Sequence, residues 1–200
     1  RCELLETDDC EIIEAGWKFG RIERDYFKTL NNYTNIALNK PTYQISTFGN
    51  RNSDGKSGNA VDGNTDGRYL FGRSCSHTYA DPIEQPWWIV DLGKSYKVLQ
   101  IVIWNRIDCC SHRLHDFAIE IGCEFDGENP DSPHWSRKYL HNGTVENNPV
   151  SISFPENSVG RFIKINNAEV KSEDSMDDIL TLCEVEVYAD YVVCECEIGL

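Results

Sequence analysis

WWIVDLGKSYKVLQIVIW, residues 87–104, is the stretch whose reading decides the fold. β-Branched and aromatic residues crowd both of its halves, and Gly93-Lys94-Ser95 divides them, so it predicts two short strands at residues 87–92 and 96–104. The same texture recurs outward from this centre. Runs at 43–48, 117–122, 150–154, 161–166 and 183–188 are each short, rich in Ile, Val, Tyr and Phe, and bounded by Gly, Asn, Asp or Pro. In the run from Phe117 to Gly122, Ala118, Glu120 and Gly122 alternate with Phe117, Ile119 and Ile121. Near the end of the chain, Val185 and Val187 alternate with Glu184, Glu186 and Tyr188. That period of two describes strands buried on one face only. Many short strands separated by turn residues predict an all-β sandwich or barrel.

Upstream the pattern changes. Ile12, Ala15, Phe19, Ile22 and Tyr26 recur at steps of three and four, which suits a helical face, although Gly16 and Gly20 weaken it. Residues 1–34 therefore read as an N-terminal extension, 35–190 as the principal domain, and 191–200 as a cysteine-containing tail leading into a further segment. The chain reads as a mature or excised piece, leaving an oligomer or a larger multidomain parent open as its context.

The formal charge of −14 repels phosphate backbones and anionic leaflets, which excludes nucleic acid and membrane surfaces as natural partners. No apolar run reaches membrane-span length, so membrane insertion is not expected. Nine cysteines, most of them outside any CxxC pair, point to disulfides and a secreted, oxidised setting rather than to zinc. Sequons at Asn32 and Asn142 agree with secretion as glycosylation sites.

Two stretches carry candidate chemistry. In Asn59-Ala60-Val61-Asp62-Gly63-Asn64-Thr65-Asp66-Gly67, oxygen-bearing side chains at every second position resemble the opening of a calcium loop, but the twelfth position is Arg73 where a bidentate Glu belongs. Spacing alone leaves a polar turn and a calcium loop both open. The second stretch, Arg106-Ile107-Asp108-Cys109-Cys110-Ser111-His112-Arg113, places two permanent cations, a carboxylate and adjacent thiols where a strand opens into a loop. Adjacent Cα atoms stand about 3.8 Å apart, below the usual disulfide range, so covalent geometry alone favours separate partners for Cys109 and Cys110. Taken singly, Arg106, Arg113 and His77 would each pass for surface or structural residues.

Six segments in order, NIALNKPTYQIST, NAVDGNTDG, SCSHT, PWWIVDLGKSYKV, NRIDCCSHR and CEVEVY, resemble the F-type lectin (fucolectin) family, relatives of the discoidin-like domains of coagulation factors. The resemblance covers about residues 35–190 and implies a jelly-roll β-sandwich that binds terminal L-fucose and catalyses nothing. The family's sugar motif falls on His77, Arg106 and Arg113, which would converge on the axial 4-hydroxyl and its neighbouring oxygens. The resemblance also implies a Cys109–Cys110 disulfide packed against the sugar ring, a contact from Phe71 or Tyr69 to the C6 methyl, and a supporting role for Asp108. It implies further a structural Ca2+ ion held by Asn59, Asp62, Asn64, Ser74, Cys183 and Glu184, and a Cys75–Cys183 disulfide. Cys123 departs from the pattern, because no second cysteine stands between it and the last strand. That leaves Cys2 to pair with Cys10, Cys123 with Cys194 or Cys196, and the remaining cysteine outside the chain.

Two other classes compete. A discoidin-like adhesion or scaffold module binding protein or another glycan would keep the fold, but it has no need of all three sugar residues. An enzyme would need a carboxylate pair or an activated thiolate, and no spacing singles out either. Fucosylated glycans are therefore the expected partners.

Overall fold

The computed structural model describes residues 34–49, 54–80, 85–131, 135–167 and 178–191. The N-terminal helical pattern, Asn32, Cys2, Cys10, Cys194, Cys196 and the side chain of Phe71 lie outside the described residues.

The expected pair of strands at the centre is one strand, β3 (Trp87–Trp104), for which β1 (Thr42–Gln44) is an edge partner. The register of β3 shifts between Asp91 and Tyr96, and Gly93 adopts φ 87° there. A bulge with a left-handed glycine lets the strand bend without ending, which is why the Gly-Lys-Ser break divides no element. Asp91 holds the bend from the side: it accepts from Arg161 Nε at 2.6 Å and Nη2 at 2.7 Å, and from Gly93 N at 2.8 Å.

Before the bend β3 pairs with β1 and β7 (Val159–Asn167); beyond it β3 pairs with β6 (Val150–Ser153) and β9 (Glu184–Tyr191). β7 continues to β4 (Phe117–Gly122) and β4 to β5 (Trp135–Leu140), all antiparallel. One layer of the sandwich is thus β1-β3-β7-β4-β5, and the second is β6 and β9 about the far half of β3. Between them lies a core that includes Trp88, Val90, Ile101, Ile103, Ile119, Ile165 and Val187. Each fully buried aliphatic of this kind contributes about 1.5–3 kcal/mol.

Sequence periodicity misleads in three places. β4 was expected to expose Ala118, Glu120 and Gly122, yet Ala118 and Gly122 are buried; Trp135 of β5 covers Gly122, where a Cβ would meet that indole at 2.7 Å. Glu184, expected on the wet face of its strand, is fully buried. β5 escaped notice because Ser136, Arg137 and Leu140 are exposed at the sheet edge, where polar side chains protect against further pairing.

A two-stranded sheet, β2 (Ser76–His77) with β8 (Thr181–Leu182), and a one-turn helix, α1 (Tyr69–Gly72), sit at the end of the sandwich where β3 passes into the loop before β4. Gly67 is the close point between them. Ile107 N donates to Gly67 O at 2.8 Å, and a Cβ on Gly67 would lie 2.7 Å from Asn105 O.

Candidate functional site

His77 is fixed along its backbone before its ring is considered. It pairs with Thr181, donates from its N–H to Gly55 O at 3.0 Å, and accepts from Phe48 N at 2.8 Å. The imidazole is 3% exposed, with Nδ1 2.7 Å from Thr78 O. A carbonyl only accepts, so Nδ1 carries the proton and Nε2 keeps its lone pair. Burial pushes the pKa down to about 4; the Thr78 bond opposes this, and the charges of Arg106 and Arg113 add to it. The ring is therefore a neutral acceptor that feels both guanidiniums.

Arg106 is buried and held on three sides. Asn105 organises its backbone, accepting from Arg106 N at 2.7 Å while donating from Nδ2 to Ser111 O at 2.8 Å. Its Nε donates to Asp108 Oδ1 at 2.5 Å, and its guanidinium carbon stands 4.8 Å from the centre of the Tyr69 ring. Asp108 Oδ2 accepts from Leu70 N at 2.8 Å, so one carboxylate ties the arginine to helix α1. Burial disfavours the charge on Asp108, but the Arg106 and Leu70 hydrogen bonds outweigh it and hold the carboxyl below its ordinary range.

Arg113 ends a 3-10 turn, Ser111–Arg113, whose start is set by Cys110 at φ 58°. Its N–H donates to Cys110 O at 3.1 Å. Cys109 and Cys110 are bonded to each other, contrary to what Cα spacing alone favours and in line with the resemblance. The vicinal bond fixes the backbone just where the turn carrying Arg113 begins. Cys75 and Cys183 are also joined, tying the approach to β2 to the start of β9. Cys123 is disulfide-bonded as well, and since the other described cysteines pair among themselves, its partner lies outside the described residues.

An aromatic wall adjoins the three polar residues. Phe48 and Tyr69 stand with ring centres 4.6 Å and 4.9 Å from that of His77. Of the two residues named for an apolar sugar contact, Tyr69 packs beside Arg106 and His77, and the side chain of Phe71 lies outside the described residues. Phe48, Leu70 and Tyr79 escaped the sequence reading. Phe48 was absorbed into a strand that ends at Gln44, while Tyr79 carried one weak signal, its place two residues beyond His77 in an extended segment.

The expected metal ligands gather in part. Glu184 Oε1 and Oε2 each accept from Gly63 N at 3.2 Å, Ser74 Oγ closes onto Asp66 O, and Asn59 Nδ2 donates to Arg73 O at 3.2 Å and Cys75 O at 3.1 Å. Asp62, Asn64 and Asp66 accept from backbone N–H groups two residues on, as in a polar turn. Burial, with the charges of Asp62 and Glu186, pushes the Glu184 carboxyl up to about 8. Among the described residues no three His, Cys, Asp or Glu side chains form a metal cluster, so a cation here would rest on the carboxylates of Glu184 and Asp62 and on hydroxyl, amide and carbonyl oxygens. That donor set suits a hard ion. Asn142 is exposed in the loop before β6.

A family model described as a NedA-like, galactose-binding domain of the F5/F8 type C group matches residues 59–165. Fucolectin-4 of Anguilla japonica is 31% identical over 156 residues, which is 78% of this chain and 79% of that one. The crystal structure of an F-lectin (fucolectin) from Morone saxatilis serum is 34% identical with a TM-score of 0.65, covering 79% of this chain and 49%, about half, of that one. A Streptococcus pneumoniae fucose binding module is 33% identical with a TM-score of 0.60, covering 79% of this chain and 96% of the module. With fold, vicinal disulfide and arginine-histidine cluster in place, these likenesses put the chain in the F-type lectin family of galactose-binding, discoidin-like β-sandwich domains.

Proposed function

We propose that this protein is an extracellular, non-catalytic lectin that binds terminal L-fucose on glycans, with a structural calcium ion beside the sugar site. The observation that carries the reading is buried His77, whose Nδ1 is committed to Thr78 O so that Nε2 is left as an acceptor, in the field of the two permanently charged arginines. A sugar hydroxyl donates one hydrogen bond and accepts two, so it can give its proton to Nε2 while taking bonds from Arg106 and Arg113. Tyr69 offers an apolar face for the C6 methyl, and the Cys109–Cys110 disulfide offers a flat surface for the sugar ring. Glycosidase chemistry would ask for two carboxylates across the scissile bond. Beside the triad, Asp108 already spends both oxygens on Arg106 and Leu70.

The cation would be held by Glu184 together with oxygens of Asn59, Asp62, Asn64, Ser74 and Cys183, and it would supply the positive charge this buried carboxylate needs. Its task is to brace the segment between Asp62 and His77, not to touch the sugar. The disulfides support an oxidising, extracellular setting. The reading is tested by presenting matched glycans with and without terminal fucose to the purified protein. Binding confined to the fucosylated members is expected, and binding indifferent to defucosylation would refute it.

A further inference from the structure

Asn148 lies exposed in the loop before β6, yet both ends of its side-chain amide are bonded to one buried residue. Its Oδ1 accepts from Asn105 N at 2.8 Å, and its Nδ2 donates to Asn105 O at 3.2 Å. The register explains why a side chain is needed there. β3 and β6 pair Ile103 with Val150, so the next antiparallel positions would set Asn105 opposite Asn148. Pro149 intervenes, and it has no N–H with which to extend the ladder. The amide of Asn148 takes the place of the missing strand, giving the buried peptide groups of Asn105 an acceptor and a donor at once.

Asn105 passes this constraint into the sugar loop. Its side chain accepts from Arg106 N and donates to Ser111 O, so it spans the loop from the first arginine to the 3-10 turn that carries the second. The loop bearing Asn148 also grips the far end of the same stretch. Val145 N donates to Leu114 O at 3.2 Å, Asp116 N donates to Gly143 O at 3.0 Å, and Gly143 N donates to Asp116 Oδ1 at 2.6 Å. Residues 143–148 therefore hold residues 105–116 at both ends, just ahead of Arg106 and just past Arg113. Donors that must meet on one hydroxyl tolerate little displacement, so releasing one end of such a brace costs affinity before it costs stability.

We propose that Asn148 is a positioning residue of the sugar site, setting through Asn105 the spacing at which Arg106 and Arg113 reach the same sugar. The proposal rests on the fucose reading above. Calorimetric titration of the intact protein with L-fucose, joined to amide hydrogen exchange followed by NMR, tests it. Asn148→Ala is expected to fold and to bind fucose about five- to tenfold more weakly, the effect of one or two lost hydrogen bonds. The amides of Asn105 and Arg106 should exchange about tenfold faster, while those of Ile101 and Ile103 exchange as before. Asn148→Asp should bind as weakly, because a second oxygen would face the Asn105 carbonyl, and it carries the same reading if the alanine variant does not fold. Glu146→Ala, in the same exposed loop, should bind like the wild type. Undiminished affinity in a folded Asn148 variant overturns the proposal while the fucose site stands. A loss accompanied by faster exchange throughout β3 overturns it too, since the fold as a whole would then have weakened. Failure of the wild-type protein to bind fucose overturns the fucose reading and this role with it.

Discussion

Protonating His77 would remove the one lone pair its ring can offer a hydroxyl, because Nδ1 is committed to Thr78 O. With its pKa pushed down to about 4, the folded protein keeps the imidazole neutral where an ordinary histidine has already charged. The sign follows: the unfolded chain takes up this proton near pH 6.5 and the folded one only near 4, so stability weakens as pH falls through that window, whereas sugar affinity, a property of the folded protein, is lost only as pH falls through about 4. Fucose affinity should stay level from pH 7.5 to about 5 and collapse near 4, as followed by titration with folding monitored by circular dichroism; a midpoint near 6.5 would contradict it. Asp108 acts through Arg106 and Leu70. Asp108→Ala leaves a buried guanidinium without its partner and should weaken fucose binding by on the order of ten- to a hundredfold, equivalent to about 1.5–3 kcal/mol. The resemblance to the F-type lectin motif, and not any one residue by itself, made His77, Arg106, Asp108 and Arg113 legible. The tautomer was not, since it depends on the carbonyl of the next residue, and neither were Phe48, which lies beside His77, and Tyr79, which packs on Phe48, since they come from separate loops.

At the level of elements, the site exists because two loops touch at Gly67. Gly67→Ala would drive a Cβ to 2.7 Å from the Asn105 carbonyl, an atom that cannot swing aside, and would part α1 from the loop bearing Arg106. The expected result is a lowered melting temperature together with at least a tenfold loss of fucose affinity, measured by thermal melting and calorimetry; unchanged affinity would show that the close approach is not needed. The positions of β4, β6 and β7 were legible from their short runs of β-branched and aromatic residues, although β4 and β7 are buried on both faces and not on one. Strand reading failed where the local pattern does not report the neighbours: the Gly93 bulge that keeps β3 whole, the Trp135 cover on β4, and the edge strand β5. Glu184 is the informative miss. Alternation assigned it to water, and the loop at Asp62-Gly63, remote in sequence, buries it.

For the whole molecule, a charge of −14 and a buried carboxylate at Glu184 make a bound cation a question of stability rather than of sugar chemistry. An ion that binds only the folded state stabilises it by mass action, so chelation should lower the melting temperature by on the order of 5–10 °C, reversibly with calcium and poorly with magnesium. Asp62→Ala should reproduce the loss, and an unmoved melting curve in a metal-free sample would return the Asn59–Gly67 stretch to a plain polar turn. The fold and the disulfide from Cys75 to Cys183 were legible through the resemblance, whereas the partner of Cys123 was not, because pairing depends on residues distant in the chain. The central claim is that His77, Arg106 and Arg113 form one fucose site on this sandwich. Titration of L-fucose into the wild-type protein and into His77→Ala, Arg106→Ala and Arg113→Ala proteins, with the fold of each checked by circular dichroism, tests it most directly. Weak, saturable one-site binding by the wild type and none by any folded variant is the predicted result, whereas no binding by the wild type, or undiminished binding by Arg113→Ala, would contradict it.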